Sequence, residues 1–319
     1  IYIHFILLIF SKLDYFKFLI MLKKSILLEN KASLSTKNLQ LIIKTETRES
    51  SIPIEDIGYL VIDHPEIFLS IPAMNLLIEN NAAVIICNTN HLPNGMILNL
   101  NSHHIQQEIF KNQINATVPL KKQLWQQTII EKITNQGVLL QKLSNQKNNF
   151  EFLASKVLSG DSTNMEGVAA SFYWKTFFEQ KFKRERFGDY PNNFLNYGYA
   201  ILRAATARAL SGSGLLNTLG IHHKSKYNAF ALADDIMEPF RPIVDEVVWT
   251  IMQNYDEQEL NTQIKAELLQ ILTRTVYFKN EKSPLMVALQ KTASSLQQCY
   301  TGERKKIKYP KLWNLTDIE

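Results

Sequence analysis

The hydrophobic pattern changes once along the chain, and this change limits the possible fold more than any other feature. From Ser25 to about Leu100, the apolar residues form short runs such as SILLE, LQLIIKT and YLVID, separated by polar or turn-like breaks. Runs of this kind predict β-strands. After about His103 the apolar residues follow a helical spacing to about Tyr300. The sequence therefore predicts an α+β protein, with an N-terminal β-sandwich-like domain followed by an all-α helical domain.

The boundary between these predicted domains falls near residues 100–105, where the turn-rich strand pattern ends. A chain of 319 residues is long enough for two hydrophobic cores. We therefore expect a β-rich domain over 21–102 and a helical domain over 103–319.

The first twenty residues do not fit either domain. They are apolar, but Lys12, Asp14 and Lys17 interrupt the run, and a membrane span needs about 20 mostly apolar residues. A strand pattern begins directly after Met21. We interpret Met21 as the natural start and residues 1–20 as a non-native upstream extension, with a membrane-associated segment as the alternative.

The stretch from Gly220 to Pro242 contains the highest concentration of candidate metal-binding side chains in the chain. It places His222 and His223 before ALADDIMEP, a run of helix-forming composition that Pro239 limits. Three carboxylates lie within this run, on Asp234, Asp235 and Glu238. On a helix these acids are close neighbours and repel one another unless a cation offsets them. Carboxylates beside a histidine suit Mg²⁺ or Mn²⁺, although a solvated acidic face is the simpler alternative.

A second candidate carboxylate, Glu166, follows the run DSTN, whose side chains favour the N-cap of a helix. Gly167, Ala169 and Ala170 leave space beside it. Glu166 therefore either complements the helix dipole or faces a ligand.

Composition permits a nucleic-acid partner without requiring one. The chain has 35 Lys and Arg against 30 Asp and Glu, a net charge of +5. Its two cysteines form neither a disulfide framework nor a thiolate zinc site, which favours a reducing, cytoplasmic location. Basic residues recur in KFKRER, on the following helix and beside aromatic residues in the tail. The candidate contacts to a DNA backbone are Arg184, Arg186, Arg203, Lys305 and Lys306.

Four blocks in a fixed order, DSTNMEGVAAS, NYGYAILRA, GIHH and DIMEPFRP, resemble the CRISPR-associated adaptation endonuclease family (Cas-one). The similarity extends from Met21 to about Lys311. The resemblance implies a β-rich N-terminal domain that serves dimerisation and a helical catalytic domain that binds one divalent metal. Its motifs assign the metal and catalytic roles to Glu166, His223 and Glu238, with Asp235 as a further acid near the metal. Many relatives have Asp where this chain has Glu238.

The same resemblance implies insertion of short duplex DNA, the prespacer, into a CRISPR array. It also implies a homodimer, a small partner (Cas-two) that bridges two dimers into a heterohexamer, and no membrane association. The form DIMEPFRP is similar to members that accompany a single-protein RNA-guided effector nuclease, which makes that effector a further candidate partner.

If these roles hold, the reaction is a transesterification in which a DNA 3′-hydroxyl attacks a phosphodiester, and water in its place gives nuclease activity. Because a histidine must be neutral to bind metal, activity should weaken well below about pH 6.5. The main alternative is a non-catalytic helical module that binds duplex DNA. A metallohydrolase of small phosphoesters is a third hypothesis. The excess of basic over acidic residues argues against it.

Overall fold

A computed structural model describes residues 23–144, 148–178, 182–185, 188–279 and 281–313 of the chain. The chain separates into two compact units, residues 1–99 and 100–319. The predicted extension over residues 1–20 lies outside the described residues. Within the described ranges, no helix combines the length and apolar character needed to cross a lipid bilayer.

The N-terminal unit contains two four-stranded sheets. Its strands are β1 (Lys24–Leu28), β2 (Ala32–Lys37), β3 (Gln40–Lys44), β4 (Glu49–Pro53), β5 (Ile57–Ile62), β6 (Ile67–Leu69), β7 (Ala83–Cys87) and β8 (Pro93–Ile97), with helix α1 (Ile71–Glu79) before β7. One sheet has the order β1-β5-β7-β8, in which only β8 runs antiparallel to its neighbour. The other has the order β4-β3-β2-β6, in which β6 is parallel to β2.

A shared apolar core explains why the sequence of this unit shows strands so clearly. Alternate residues of β2 and β3, such as Leu34, Leu41 and Ile43, are almost fully buried. The central strand β5 is buried over most of its length and therefore has a continuous apolar run. The α+β prediction, with strands first and helices after, is confirmed.

The second unit is mainly helical. Its helices are α2 (Gln106–Ile114), α3 (Val118–Ser144), α4 (Phe150–Ser155), α5 (Met165–Phe177), α6 (Asn192–Gly212), α7 (Ala231–Met237), α8 (Arg241–Asn254), α9 (Thr262–Leu269) and α10 (Leu285–Thr301). Helix α6 is buried on most of its faces, as its apolar pattern predicts. Gly198 lets α8 approach α6 closely, because a Cβ there would lie 2.5 Å from Val244.

The prediction that the region to about Tyr300 contains only helical segments needs one correction. Strands β9 (Thr275–Phe278) and β10 (Glu281–Pro284) form an antiparallel hairpin between α9 and α10. The run TVYF consists of β-branched and aromatic residues, which favour a strand. It is short enough to be missed inside a helical region.

Prolines divide the helices near the candidate site. Pro119 lies in the first turn of α3, where its missing N–H is tolerated. Pro239 cannot donate the backbone hydrogen bond that would continue α7. The chain therefore passes through a 3₁₀ turn, Glu238–Phe240, before α8 begins.

Candidate metal and nucleic-acid site

The start of α5 places Glu166. Asn164 is the N-cap residue in a left-handed conformation (φ 52°), and its side chain accepts a hydrogen bond from the backbone N–H of Gly167. The Asp161 carboxylate accepts from the backbone N–H groups of Met165 and Glu166, at 2.8 and 3.1 Å. Asn164 thus confirms the predicted N-cap. Because these neighbours satisfy the helix start, the Glu166 side chain is free to take another partner.

The loop that carries the two histidines is fixed on Asp235. This fully buried carboxylate accepts from the backbone N–H of His222 at 2.9 Å and from that of His223 at 3.3 Å. It also lies 2.5 Å from Nδ1 of His223. Gly220 makes the approach possible, because a Cβ there would lie 2.7 Å from the same carboxylate. Since a carboxylate only accepts, Nδ1 carries the proton and Nε2 of the neutral ring keeps a lone pair.

The two histidine rings have different environments. The His222 ring stacks on buried Trp125 of α3, with the ring centroids 4.2 Å apart and an interplanar angle of 4°. The His223 ring meets Trp125 edge-on at 6.1 Å. His223 is therefore held by a carboxylate and His222 by an aromatic face, which separates two adjacent residues that the sequence could not distinguish by spacing.

A lysine lies between the two candidate glutamates. Nζ of Lys132, in α3, is 2.5 Å from Oε1 of Glu166 and 2.5 Å from Oε2 of Glu238. Arg241 donates from Nη2 to Oε1 of Glu238 at 2.8 Å. The side chains of Glu238 and Lys132 are 5% and 10% exposed, while those of Glu166 and His223 are 30% and 43% exposed. The solvent-facing side of the site is therefore formed by Glu166 and His223.

The charges in this cluster stabilise one another. Burial alone would raise the pKa of Glu238, but the positive charges of Arg241 and Lys132 outweigh it and lower that pKa. Burial alone would lower the pKa of Lys132, and Glu238 and Glu166 together reverse this effect and raise it. The hydrogen bond to Asp235 raises the pKa of His223 in spite of partial burial, and the charge of Glu238 adds to the rise.

The structure brings Glu166 and Glu238 together through Lys132, while His223 contacts Asp235 instead. Within the part of the chain that the structure describes, no three His, Cys, Asp or Glu side chains form a group ready to hold a metal. The Lys132 ammonium, rather than an imidazole, lies between Glu166 and Glu238.

The donor set nevertheless fits a divalent cation. Two carboxylate oxygens already converge on one cation, the ammonium of Lys132. Oε2 of Glu238 is buried, and its contact among the described residues is the ion pair with the Lys132 ammonium. Carboxylate oxygens with the Nε2 atom of an oriented histidine are a set that Mg²⁺ or Mn²⁺ accepts.

The remaining acid of the motif, Asp234, has its own partners. Its carboxylate accepts from Nε of Arg203 at 2.6 Å and from Nδ2 of Asn228 at 2.8 Å. The repulsion expected among Asp234, Asp235 and Glu238 is therefore offset separately for each side chain. One shared cation is not required to hold these three acids in place.

The candidate DNA contacts differ in how much of their charge is available. The Arg184 guanidinium donates to Asn192 and Asn196 and lies over the Tyr199 ring, so its hydrogen bonds are used inside the helical unit. The side chains of Lys305 and Lys306 are exposed, and the backbone carbonyl of Lys305 accepts from Gln127 of α3. Arg186 lies outside the described residues.

A second buried cluster is centred on Asp245, seven residues after Glu238 in the sequence. Asp245 of α8 accepts hydrogen bonds from the hydroxyl of Tyr173 at 2.7 Å and from that of Tyr199. Burial raises the pKa of Asp245 from 3.8 to about 6, and the two hydroxyls reduce the rise. The guanidinium of Arg241 lies over the Tyr199 ring, 4.8 Å from its centroid, and so links this cluster to Glu238.

Sequence reasoning missed Lys132 and Arg241. The buried face of α3 includes Trp125, Ile129 and Ile133, and Lys132 lies on that same face. A charged residue within an apolar helical stripe is therefore the available signal. Arg241 follows Glu238 at helical spacing in the quoted motif, which also marks it as a partner.

Comparison with known proteins gives one consistent result. A family model described as "CRISPR associated protein Cas1" matches residues 26–280. A CRISPR-associated endonuclease Cas1 from Neisseria meningitidis serogroup C (strain 8013) is 35% identical over 300 residues, which covers 93% of this chain and 98% of the relative.

Two solved structures are similar in fold. A casposase bound to integration product has a TM-score of 0.76 at 22% identity, over 89% of this chain and 92% of that chain. A chain of a Cas6-RT-Cas1–Cas2 complex has a TM-score of 0.70 at 21% identity, where 95% of this chain matches 37% of the other. At these identities the two structures support the two-part fold alone.

Proposed function

This chain belongs to the Cas1 family of CRISPR-associated endonucleases, and from this premise we propose that it is a divalent-metal-dependent DNA endonuclease and integrase of CRISPR adaptation. The observation that carries the proposal is the convergence of Glu166 and Glu238 on one cation, the ammonium of Lys132. Glu166, His223 and Glu238 are the proposed metal ligands. Asp235 orients His223 and is not required as a ligand.

The proposed reaction joins a prespacer strand to the CRISPR array. The 3′-hydroxyl oxygen of the prespacer forms a bond to a phosphorus of the target strand, and the bond from that phosphorus to the target's own 3′ oxygen breaks. The proton lost by the attacking hydroxyl is balanced by protonation of the leaving oxygen. A bound Mg²⁺ or Mn²⁺ would supply Lewis-acid stabilisation of the charge on the phosphate.

The residues of the chain serve this reaction by position and charge. The carboxylate of Asp235 keeps the proton of His223 on Nδ1, so Nε2 remains the donor atom. Arg241 and Lys132 keep Glu238 ionised in its buried position. Exposed Lys305 and Lys306, together with Arg203, are proposed contacts to the DNA backbone, where each adds a salt-dependent increment to binding.

The proposed partners follow from the family and from the composition of the similar Cas6-RT-Cas1–Cas2 complex. We propose a homodimer whose contacts lie in the N-terminal unit, and two dimers bridged by Cas2 into a heterohexamer. Duplex prespacer DNA and the CRISPR repeat are the substrates.

Strand transfer by purified protein with Cas2, duplex DNA and Mn²⁺ tests the proposal. Glu166→Ala and His223→Ala should each reduce strand transfer at least ~100-fold, because each removes a ligand at the site where charge develops. Circular dichroism and duplex binding should stay close to those of the parent protein.

Two control variants isolate the proposed ligands. His222→Ala removes the neighbouring ring, and Glu151→Ala removes an exposed carboxylate at the start of α4. Both should retain most strand transfer. Parental strand transfer by Glu166→Ala or His223→Ala would overturn the metal assignment. No strand transfer by the parent protein, together with DNA binding that EDTA leaves unchanged, would favour the non-catalytic DNA-binding module.

A further inference from the structure

We propose that Lys132 is a built-in counter-ion that occupies the cation position of the metal-free site and must be displaced before a divalent metal can bind there. The inference rests on the proposed function, because it concerns the same carboxylates. Lys132 would then be a positioning residue that sets the metal affinity of the site.

The position of the ammonium carries the argument. Nζ of Lys132 lies 2.5 Å from one oxygen of each glutamate. A Mg²⁺ ion binds carboxylate oxygens at about 2.0–2.1 Å. The ammonium and a metal ion therefore require the same oxygens and almost the same point in space. Two positive charges this close repel strongly in a buried site, so one excludes the other.

The local charge balance supports the same conclusion. Glu166 and Glu238 contribute two negative charges, which Lys132 and Arg241 balance through direct contacts. A divalent ion added to this neutral set would leave two uncompensated positive charges. Displacing the ammonium removes one of them, and the lysine stem is flexible enough to reach the solvent-facing side beside Glu166.

This arrangement has a structural benefit before the metal arrives. Two converging carboxylates, one of them almost fully buried, would repel each other without a cation. Lys132 holds them in place, so the site is assembled without metal.

Manganese affinity measured by the electron paramagnetic resonance signal of free Mn²⁺ tests the proposal without relying on activity. Lys132→Met should bind Mn²⁺ at least about tenfold more tightly than the parent protein, because a competing positive charge is gone. Lys132→Arg keeps the charge and should resemble the parent. Lys142→Met is the matched control, since it removes a Lys–Glu ion pair from the same helix, between Lys142 and Glu246.

Each result of these Mn²⁺ measurements either supports or overturns the proposal. Equal or weaker Mn²⁺ binding by Lys132→Met overturns the displacement proposal while the metal site itself stands. Mn²⁺ binding that Glu166→Gln leaves unchanged, or no Mn²⁺ binding by any variant, overturns the metal site and the displacement proposal together. A crystal structure of the parent protein soaked with Mn²⁺ needs no variant to fold. It should show Nζ moved away from both glutamates, and Nζ still between them beside a bound ion would overturn the proposal.

Discussion

Two buried carboxylates near the start of α8 are stabilised by different chemistry. Glu238 contacts two cations, with Lys132 on one oxygen and Arg241 on the other. Asp245 instead accepts hydrogen bonds from the hydroxyls of Tyr173 and Tyr199. Both side chains are almost inaccessible to solvent, so the difference between them is a difference in partners.

The partners decide which protonation state each carboxyl group prefers. The pKa of Glu238 is lowered because its cations more than offset the effect of burial. The pKa of Asp245 rises to about 6, because hydroxyl donors and more distant arginines only partly offset burial. Burial thus leaves the charge of one acid intact and makes the charge of the other costly.

The largest expected effect on stability concerns Glu238, the carboxylate that two cations stabilise. Glu238→Gln should reduce the free energy of unfolding in EDTA at pH 7 by about 3–5 kcal/mol, because it removes the partner of buried cations. Asp245→Asn should cost far less at the same pH, since the replaced charge is already unfavourable. Urea denaturation of both variants measures the contrast, and equal losses would show that the partners do not distinguish the two acids.

A smaller effect should appear when the pH is changed. The pKa of Asp245 is 3.8 ordinarily and about 6 in the folded protein, so between these values only the unfolded chain releases the proton. Stability relative to Asp245→Asn should therefore fall as the pH rises from 4 to 7, by up to about 3 kcal/mol, and stay constant above that range.

Urea titrations of the parent protein and Asp245→Asn at pH 4.5, 5.5 and 7 measure this difference. Subtracting the two free energies of unfolding cancels the contributions of groups that titrate equally in both proteins. A difference that does not change with pH would mean that Asp245 has an ordinary pKa in the folded state.

The smallest effect should come from one hydroxyl. Tyr173→Phe keeps the ring and removes the donor that lies 2.7 Å from Asp245, so unfolding free energy should fall by about 1–2 kcal/mol at pH 7. Tyr300→Phe is a matched control, because the buried Tyr300 hydroxyl makes no hydrogen bond within the described residues. It should be neutral or slightly stabilising, and a loss as large as that of Tyr173→Phe would indicate a packing effect instead.

Local signals in the sequence were sufficient to predict the order of the strands and helices. Alternating branched residues predict the first sheets, Asn164 predicts the start of α5, and Pro239 predicts the end of α7. Each of these signals acts through the backbone of a few neighbouring residues, so it can be recognised without knowing the fold.

The partners of the two acids depend on long-range packing and could not be predicted in the same way. Lys132 reaches Glu238 from a helix more than a hundred residues earlier, and the Asp245 cluster joins three helices. A lysine within a polar-rich helix ordinarily indicates an exposed face. The apolar stripe of α3 marks Lys132 as the exception, but only the packing of α3 against the 3₁₀ turn shows that its partner is Glu238.

Position 220 should tolerate substitution as poorly as a catalytic position, because Gly220 is needed for its missing side chain. The backbone here lies so close to the Asp235 carboxylate and the His223 carbonyl that even a methyl group would overlap them. In a saturation-mutagenesis library, position 220 would therefore be depleted together with the ligands, although it contributes no reactive atom. A map of intolerant positions in this protein would mark the space that the site needs as well as the groups that perform its chemistry.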